Sequence, residues 1–175
     1  MKKVNVKSLT RAGILLALVI VVQLIGTIIP APANSFVVGP LVNACILVAT
    51  VALGIWGGVA ISVIAPFSSL LFNHAGISLV LLPFTPFIAI GNILFAIVFF
   101  ILYKKSNIVA VGAGSVLKFA FLWSAIILFL NISNITGVVA KTFSFLFSWP
   151  QLITAVVGGA VALLVIKALG KTIDE

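Results

Sequence analysis

Apolar residues run along this chain in long blocks, each closed by a short cluster of Pro, Gly, Asn, Ser or Lys. The blocks are too long for strands and too evenly apolar for surface helices. About 20 such residues are what a helix needs to cross the hydrocarbon core of a bilayer. Six candidate spans follow, at about 12–29, 37–55, 59–72, 79–103, 109–130 and 150–168. The first is interrupted only by Gln23, Gly26 and Thr27 and stops at Pro30-Ala31-Pro32, where two prolines end a helix. Pro40 falls in the expected first turn of the second span, where a missing N–H costs little. Gly54, Gly57 and Gly58 fit a tight turn around Trp56, leading to a third span that Pro66 is expected to kink or make partly re-entrant. A polar loop at Asn73-His74-Ala75-Gly76 precedes the fourth, which has Pro83 and Pro86 near its start. The connector from Asn131 to Trp149 mixes polar and apolar residues and leaves room for an interfacial helix before Pro150 opens the sixth.

Composition agrees with the pattern. Of 175 residues, 63% are hydrophobic and 7% charged, whereas a soluble domain is about a quarter charged. A water-soluble globule is excluded. The expected fold is an all-α integral membrane protein with six transmembrane helices in one compact bundle, a single transmembrane domain over residues 1–175. Ala31-Pro32-Ala33 could pass for a signal-peptidase site. The first apolar block, however, exceeds the roughly 7–15 residues of a signal sequence and more apolar sequence follows at once, so a retained first helix is expected.

Charge then supplies an orientation. Ten Lys and Arg oppose two acids, Asp174 and Glu175, for a formal net charge of +8. Lys2, Lys3, Lys7 and Arg11 precede the first span, Lys104 and Lys105 separate the fourth from the fifth, and Lys167 and Lys171 close the sixth. With six spans these positions share one face, which the positive-inside rule makes cytoplasmic. Both termini are therefore expected inside, with the loops Pro30–Ser35 and Asn73–Ser78 and the long connector outside. The basic excess carries no nucleic-acid message, and Lys141 is expected as an exposed connector residue. Trp56 and Tyr103 fall near the inner interface and Trp149 near the outer one, as aromatic belts require.

With one His, one Cys and no acid before residue 174, a buried metal site or carboxylate dyad cannot be built. No enzyme activity and no cofactor are expected. Cys45 reads as a small buried hydrophobe. Lys118 is different. It lies about nine residues into the fifth span, roughly 14 Å deep, where a charged lysine costs on the order of 2.5–3.5 kcal/mol. It either lines a ligand cavity or snorkels toward Lys104 and Lys105. Its helical face carries Gly114, Ser115, Phe121, Leu122 and Ala125. Asn43 and Asn92 are carboxamides in apolar spans and need partners; they either cross-link helices or join Lys118 in a cavity opening outward. Gln151 and Thr154, with Trp149, are candidates for its mouth, and His74 is either a solvated loop residue or a further contact. Gly13 and Ala17 form a small-xxx-small pair of the kind that lets another helix approach. Gly112, Gly114, Gly158 and Gly159 are expected to serve packing inside the bundle.

The stretches Gly39-Pro40-Leu41-Val42-Asn43-Ala44, Pro86-Phe87-Ile88-Ala89-Ile90-Gly91-Asn92, Lys118-Phe119 and Trp149-Pro150-Gln151-Leu152-Ile153-Thr154-Ala155 resemble the patterns of the substrate-binding S components of energy-coupling-factor (ECF) vitamin transporters. That resemblance implies high-affinity capture of a small vitamin or precursor at the plasma membrane of a prokaryote. It also implies an ABC-type importer in which a membrane coupling protein and two cytoplasmic ATPases supply the energy. Substrate contacts would fall on Asn43, His74, Asn92, Lys118, Trp149, Gln151 and Thr154. The coupling-protein face would fall on Gly13 and Ala17, with Gly where the family's first Ala stands. A vitamin B6-like heterocycle fits Lys118 and an aromatic-rich chain; nicotinate, a thiamine-precursor pyrimidine and pantothenate are alternatives. A ligand-free membrane scaffold of the cell-shape type and a stand-alone carrier are the competing functions.

Overall fold

The second apolar block folds as a helix, Ala33–Ala52, and every residue of it from Asn43 to Thr50 is buried. Only a helix enclosed on all sides is buried through consecutive turns. The others surround it. In the computed structural model, which describes residues 6–30, 33–72 and 82–173, α1 is Val6–Ile28, α2 Ala33–Ala52 and α3 Ile55–Phe72. A 3-10 turn at Leu82–Phe84 leads into α4, Thr85–Leu102; α5 is Asn107–Ser133, α6 Gly137–Leu146 and α7 Trp149–Ile173. The described residues contain no strand, and six helical stretches are long and apolar enough to cross a membrane. They form one compact bundle in which α2 packs most extensively on α7 and α4 on α5.

Several boundaries differ from the sequence pattern. α2 begins at Ala33, which puts Pro40 inside the helix rather than in its first turn. The turn between α2 and α3 is Leu53-Gly54, with Gly54 at φ +76°. Gly57 and Gly58 instead lie inside α3, where they remove bulk against α2: a β-carbon at Gly58 would stand 2.1 Å from Thr50 Oγ1. α3 runs unbroken through Pro66. The long connector holds the helix α6, with Phe143 buried and Lys141 exposed.

Two apolar clusters hold the bundle. One surrounds the middle of α2, with Ile46 and Leu47 against Phe95 and Phe99 of α4, Ala110 of α5 and Ala162 of α7. Cys45 belongs to it as a free, buried thiol. The other lies under α6, where the Phe84 ring meets Phe87 at 5.4 Å, Phe129 at 5.3 Å and Phe147 at 4.7 Å between centroids. The outer faces stay apolar: Ile14, Leu24, Leu128 and Leu164 are all exposed, as befits helices solvated by lipid. Lys104, Lys105 and Lys167 sit at the end where α4 and α7 finish. The opposite end, where α1 and α3 finish and α2, α4 and α7 begin, contains the site.

Candidate functional site

A cavity of about 230 Å3 opens at that second end, and all seven of the described α-helices contribute to its wall. Its polar lining includes Gln23 of α1, Asn43 of α2, Asn92 of α4, Lys118 of α5, and Gln151 and Thr154 of α7. Five of the seven substrate positions expected from sequence therefore meet in one place.

Lys118 is 3% exposed and does not snorkel. Its Nζ donates to Asn43 Oδ1 at 2.6 Å and stands 5.5 Å from the centroid of the Phe95 ring, within the range of a cation–π contact. Local packing sets this geometry. Gly114, one turn before Lys118, lets Phe95 close in, since a β-carbon there would lie 2.8 Å from the ring. Gly158 does the same for Asn43: a β-carbon would meet the Pro40 carbonyl oxygen at 2.5 Å and Asn43 Cβ at 2.6 Å. Gly114, Gly158 and Gly159 thus serve close packing, whereas a β-carbon at Gly112 would meet nothing within 4 Å.

Asn92 is buried and donates from Nδ2 to the Ser62 carbonyl at 3.4 Å. Gln151 donates from Nε2 to the Leu146 carbonyl at 3.1 Å, tying the end of α6 to the start of α7. Thr154 donates to the Gln151 carbonyl at 3.1 Å, which leaves its oxygen lone pairs as acceptors. Trp149 is not in the cavity wall. It is half exposed and packs on Phe36 and Phe145, with centroids 6.1 and 5.5 Å away. The ring sits on the rim because α7 starts there and directs it outward, so the expected mouth contact is replaced by an aromatic cluster. His74 lies outside the described residues.

Gln23 is the wall residue that sequence reasoning passed over, as a mere interruption of an apolar block. It donates from Nε2 to the Ala65 carbonyl at 2.7 Å and accepts from Ser68 Oγ at 2.8 Å, joining α1 to α3. The signal was present, because it is a carboxamide in hydrocarbon like Asn43 and Asn92. Asn34, Ser35 and Ser69 also line the cavity.

The chemistry of the wall is that of recognition. Among the described residues it offers one cation, several carboxamides and hydroxyls, and no carboxylate. Among the described residues no group of His, Cys, Asp and Glu is placed to hold a metal. A second cavity, about 510 Å3, lies at the lysine-bearing end between Val51, Tyr103 and Leu163. Its Asn107 and Lys167 are exposed rather than buried, so no desolvated polar group converges there. The smaller cavity is the better candidate.

A family model described as the substrate-specific component of ECF transporters matches residues 7–170. No curated protein and no solved structure matches the chain significantly.

Proposed function

The chain belongs to the substrate-specific components of ECF transporters, and from that membership we propose that its cavity captures a small vitamin or vitamin precursor outside the cell for import. Membership makes it a multi-pass plasma-membrane transport subunit, not an enzyme, with a small-molecule substrate and an ECF module as partner. The observation that carries the proposal is the Lys118–Asn43 pair on the cavity wall. A lysine this deep in an apolar bundle costs about 2.5–3.5 kcal/mol, and a neutral carboxamide offsets only part of that. A polar ligand supplies the rest.

The basic residues support an outward-facing cavity. Lys104, Lys105 and Lys167 gather at the other end, and the positive-inside rule assigns that end, with both termini, to the cytoplasm. The cavity volume is below the roughly 300–1,000 Å3 typical of drug-sized ligands, so the substrate is of single-ring size. A vitamin B6-like heterocycle suits that size, and among the described residues Phe72 is the aromatic side chain in the wall.

Three steps follow on this reading. The substrate enters between α1, α3 and α7, exchanges water for the carboxamides, and is held against Lys118. The loaded subunit presents a lipid-facing surface to a membrane coupling protein, with Gly13 and Ala17 as the close-approach face. Two cytoplasmic ATPases then drive release inward.

Thermal denaturation of the purified chain over a panel of vitamins and precursors tests the proposal. A compound at a hundredfold its Kd adds about 2.7 kcal/mol to stability. A flat response across the panel defeats vitamin capture, and uptake by vesicles that contain this chain alone defeats dependence on an ATPase module.

A further inference from the structure

Lys118 has more hydrogen-bonding capacity than the bundle uses. Its ammonium group carries three N–H donors, and the described residues engage it through one acceptor, Asn43 Oδ1, with the Phe95 ring nearby. It lines the cavity and is 3% exposed. Among the described residues there is no acid to act as its counter-ion. Asn43 is itself locked in place by Gly158 and carries two N–H donors beside the amine. Three other wall amides each spend one donor inside the bundle: Gln23 on Ala65, Asn92 on Ser62 and Gln151 on Leu146.

We infer that the substrate is a small organic acid whose carboxylate, or an equivalent oxyanion such as a ring phenolate, seats on Lys118 beside Asn43, and that the cavity rejects cationic molecules. This rests on the cavity being the substrate site and deepens that proposal by naming the charge class. An oxyanion completes the unused donors of the amine and neutralises a charge held out of water, where the interaction is screened far less than at a surface. A cationic molecule brings a like charge to a wall that has no carboxylate to receive it. A neutral amide of the same shape can accept a hydrogen bond but leaves the charge uncompensated.

The test uses compounds that differ in one group and otherwise carry no oxyanion: nicotinate against nicotinamide and the cationic 3-(aminomethyl)pyridine, and pantothenate against pantothenol. Each is titrated into the purified full-length chain by calorimetry, with thermal shift as a second readout and sodium chloride as an inorganic control. The expected result is that at least one acid binds and its neutral or cationic partner binds at least tenfold more weakly. Lys118→Met is expected to remove that preference, and Asn43→Asp, which places an internal carboxylate beside the amine, to weaken the acid at least tenfold while leaving the fold in place. Equal or tighter binding of the amide or amine overturns the acid inference and leaves vitamin capture standing. Persistence of the acid preference in both variants also overturns it, as does a chloride response that matches the acids. Absence of binding by every compound in the wild-type chain overturns capture and this inference together.

Discussion

Asn92 in α4 reaches across to the carbonyl of Ser62 in α3 at 3.4 Å. Ser62 stands four residues before Pro66, the position whose carbonyl a helical proline leaves without its N–H partner. One helix therefore mends the hydrogen-bond gap in another, and Asn92 is fixed at the cavity wall by a defect in its neighbour. The same region of α3 supplies the Ala65 carbonyl to Gln23 of α1. Pro66 thus organises Asn92, while Gln23 is held from the same stretch of α3 by a carbonyl that the proline does not free.

This relationship predicts a coupling. Asn92→Leu should cost about 1–2 kcal/mol, because it leaves a buried carbonyl unsatisfied. In a Pro66→Ala background the restored N–H satisfies Ser62, and the same replacement should cost less by at least about 0.5 kcal/mol. Unfolding of the four proteins in detergent closes the cycle; strictly additive effects would show that the bond does not depend on the proline.

Gly158 and Gly112 give a matched pair of alanine substitutions. A methyl at Gly158 collides with the Pro40 carbonyl and Asn43, both parts of a well-packed helix, so Gly158→Ala should destabilise by about 1–3 kcal/mol. It should also weaken substrate binding by displacing Asn43. At Gly112 nothing lies within 4 Å, and the better helix propensity of alanine should make that change neutral or stabilising by up to about 1 kcal/mol. Thermal stability of both variants in one detergent decides it.

The α2–α3 turn yields a purely conformational prediction. Gly54 has φ +76° and open space around its β position, so Gly54→Ala meets backbone strain and no steric clash. The expected loss is about 1–2 kcal/mol, and Gly54→Asn, which tolerates the left-handed region, should recover part of it. Equal stability of the alanine and wild-type chains would mean that the turn relaxes.

The parts of this molecule that were legible in its sequence are those set by large, local costs. A span of about 20 apolar residues is a statement of length, so the six blocks could be read directly. Lys118, Asn43 and Asn92 were visible because polar groups in hydrocarbon are expensive wherever they sit. What stayed hidden depends on which helix lies alongside. Gly54 and Gly58 look alike in the chain, but Thr50 sits against one and nothing against the other. Gln23 interrupts an apolar block in the chain, and its role is set by Ala65 and Ser68 of α3, which bracket it in the fold. Pro66 reads locally as a break, and the helix continues because Asn92 of α4, 30 residues from Ser62 in the chain, takes the freed carbonyl.

The face formed by Gly13 and Ala17 gives the last prediction. Both residues are exposed on α1, and a β-carbon at Gly13 would meet nothing within 4 Å of its own chain. A large side chain there is therefore harmless to the isolated subunit. If the ECF module docks by close helix approach on this face, a leucine holds the helices apart and removes the van der Waals contacts that drive association in lipid. Gly13→Leu should abolish co-purification with the coupling protein and leave thermal stability and substrate affinity within twofold of wild type. Leu24, which is also exposed on α1, supplies the control: Leu24→Ala should retain assembly. Intact complex formation by Gly13→Leu moves the docking surface off this face.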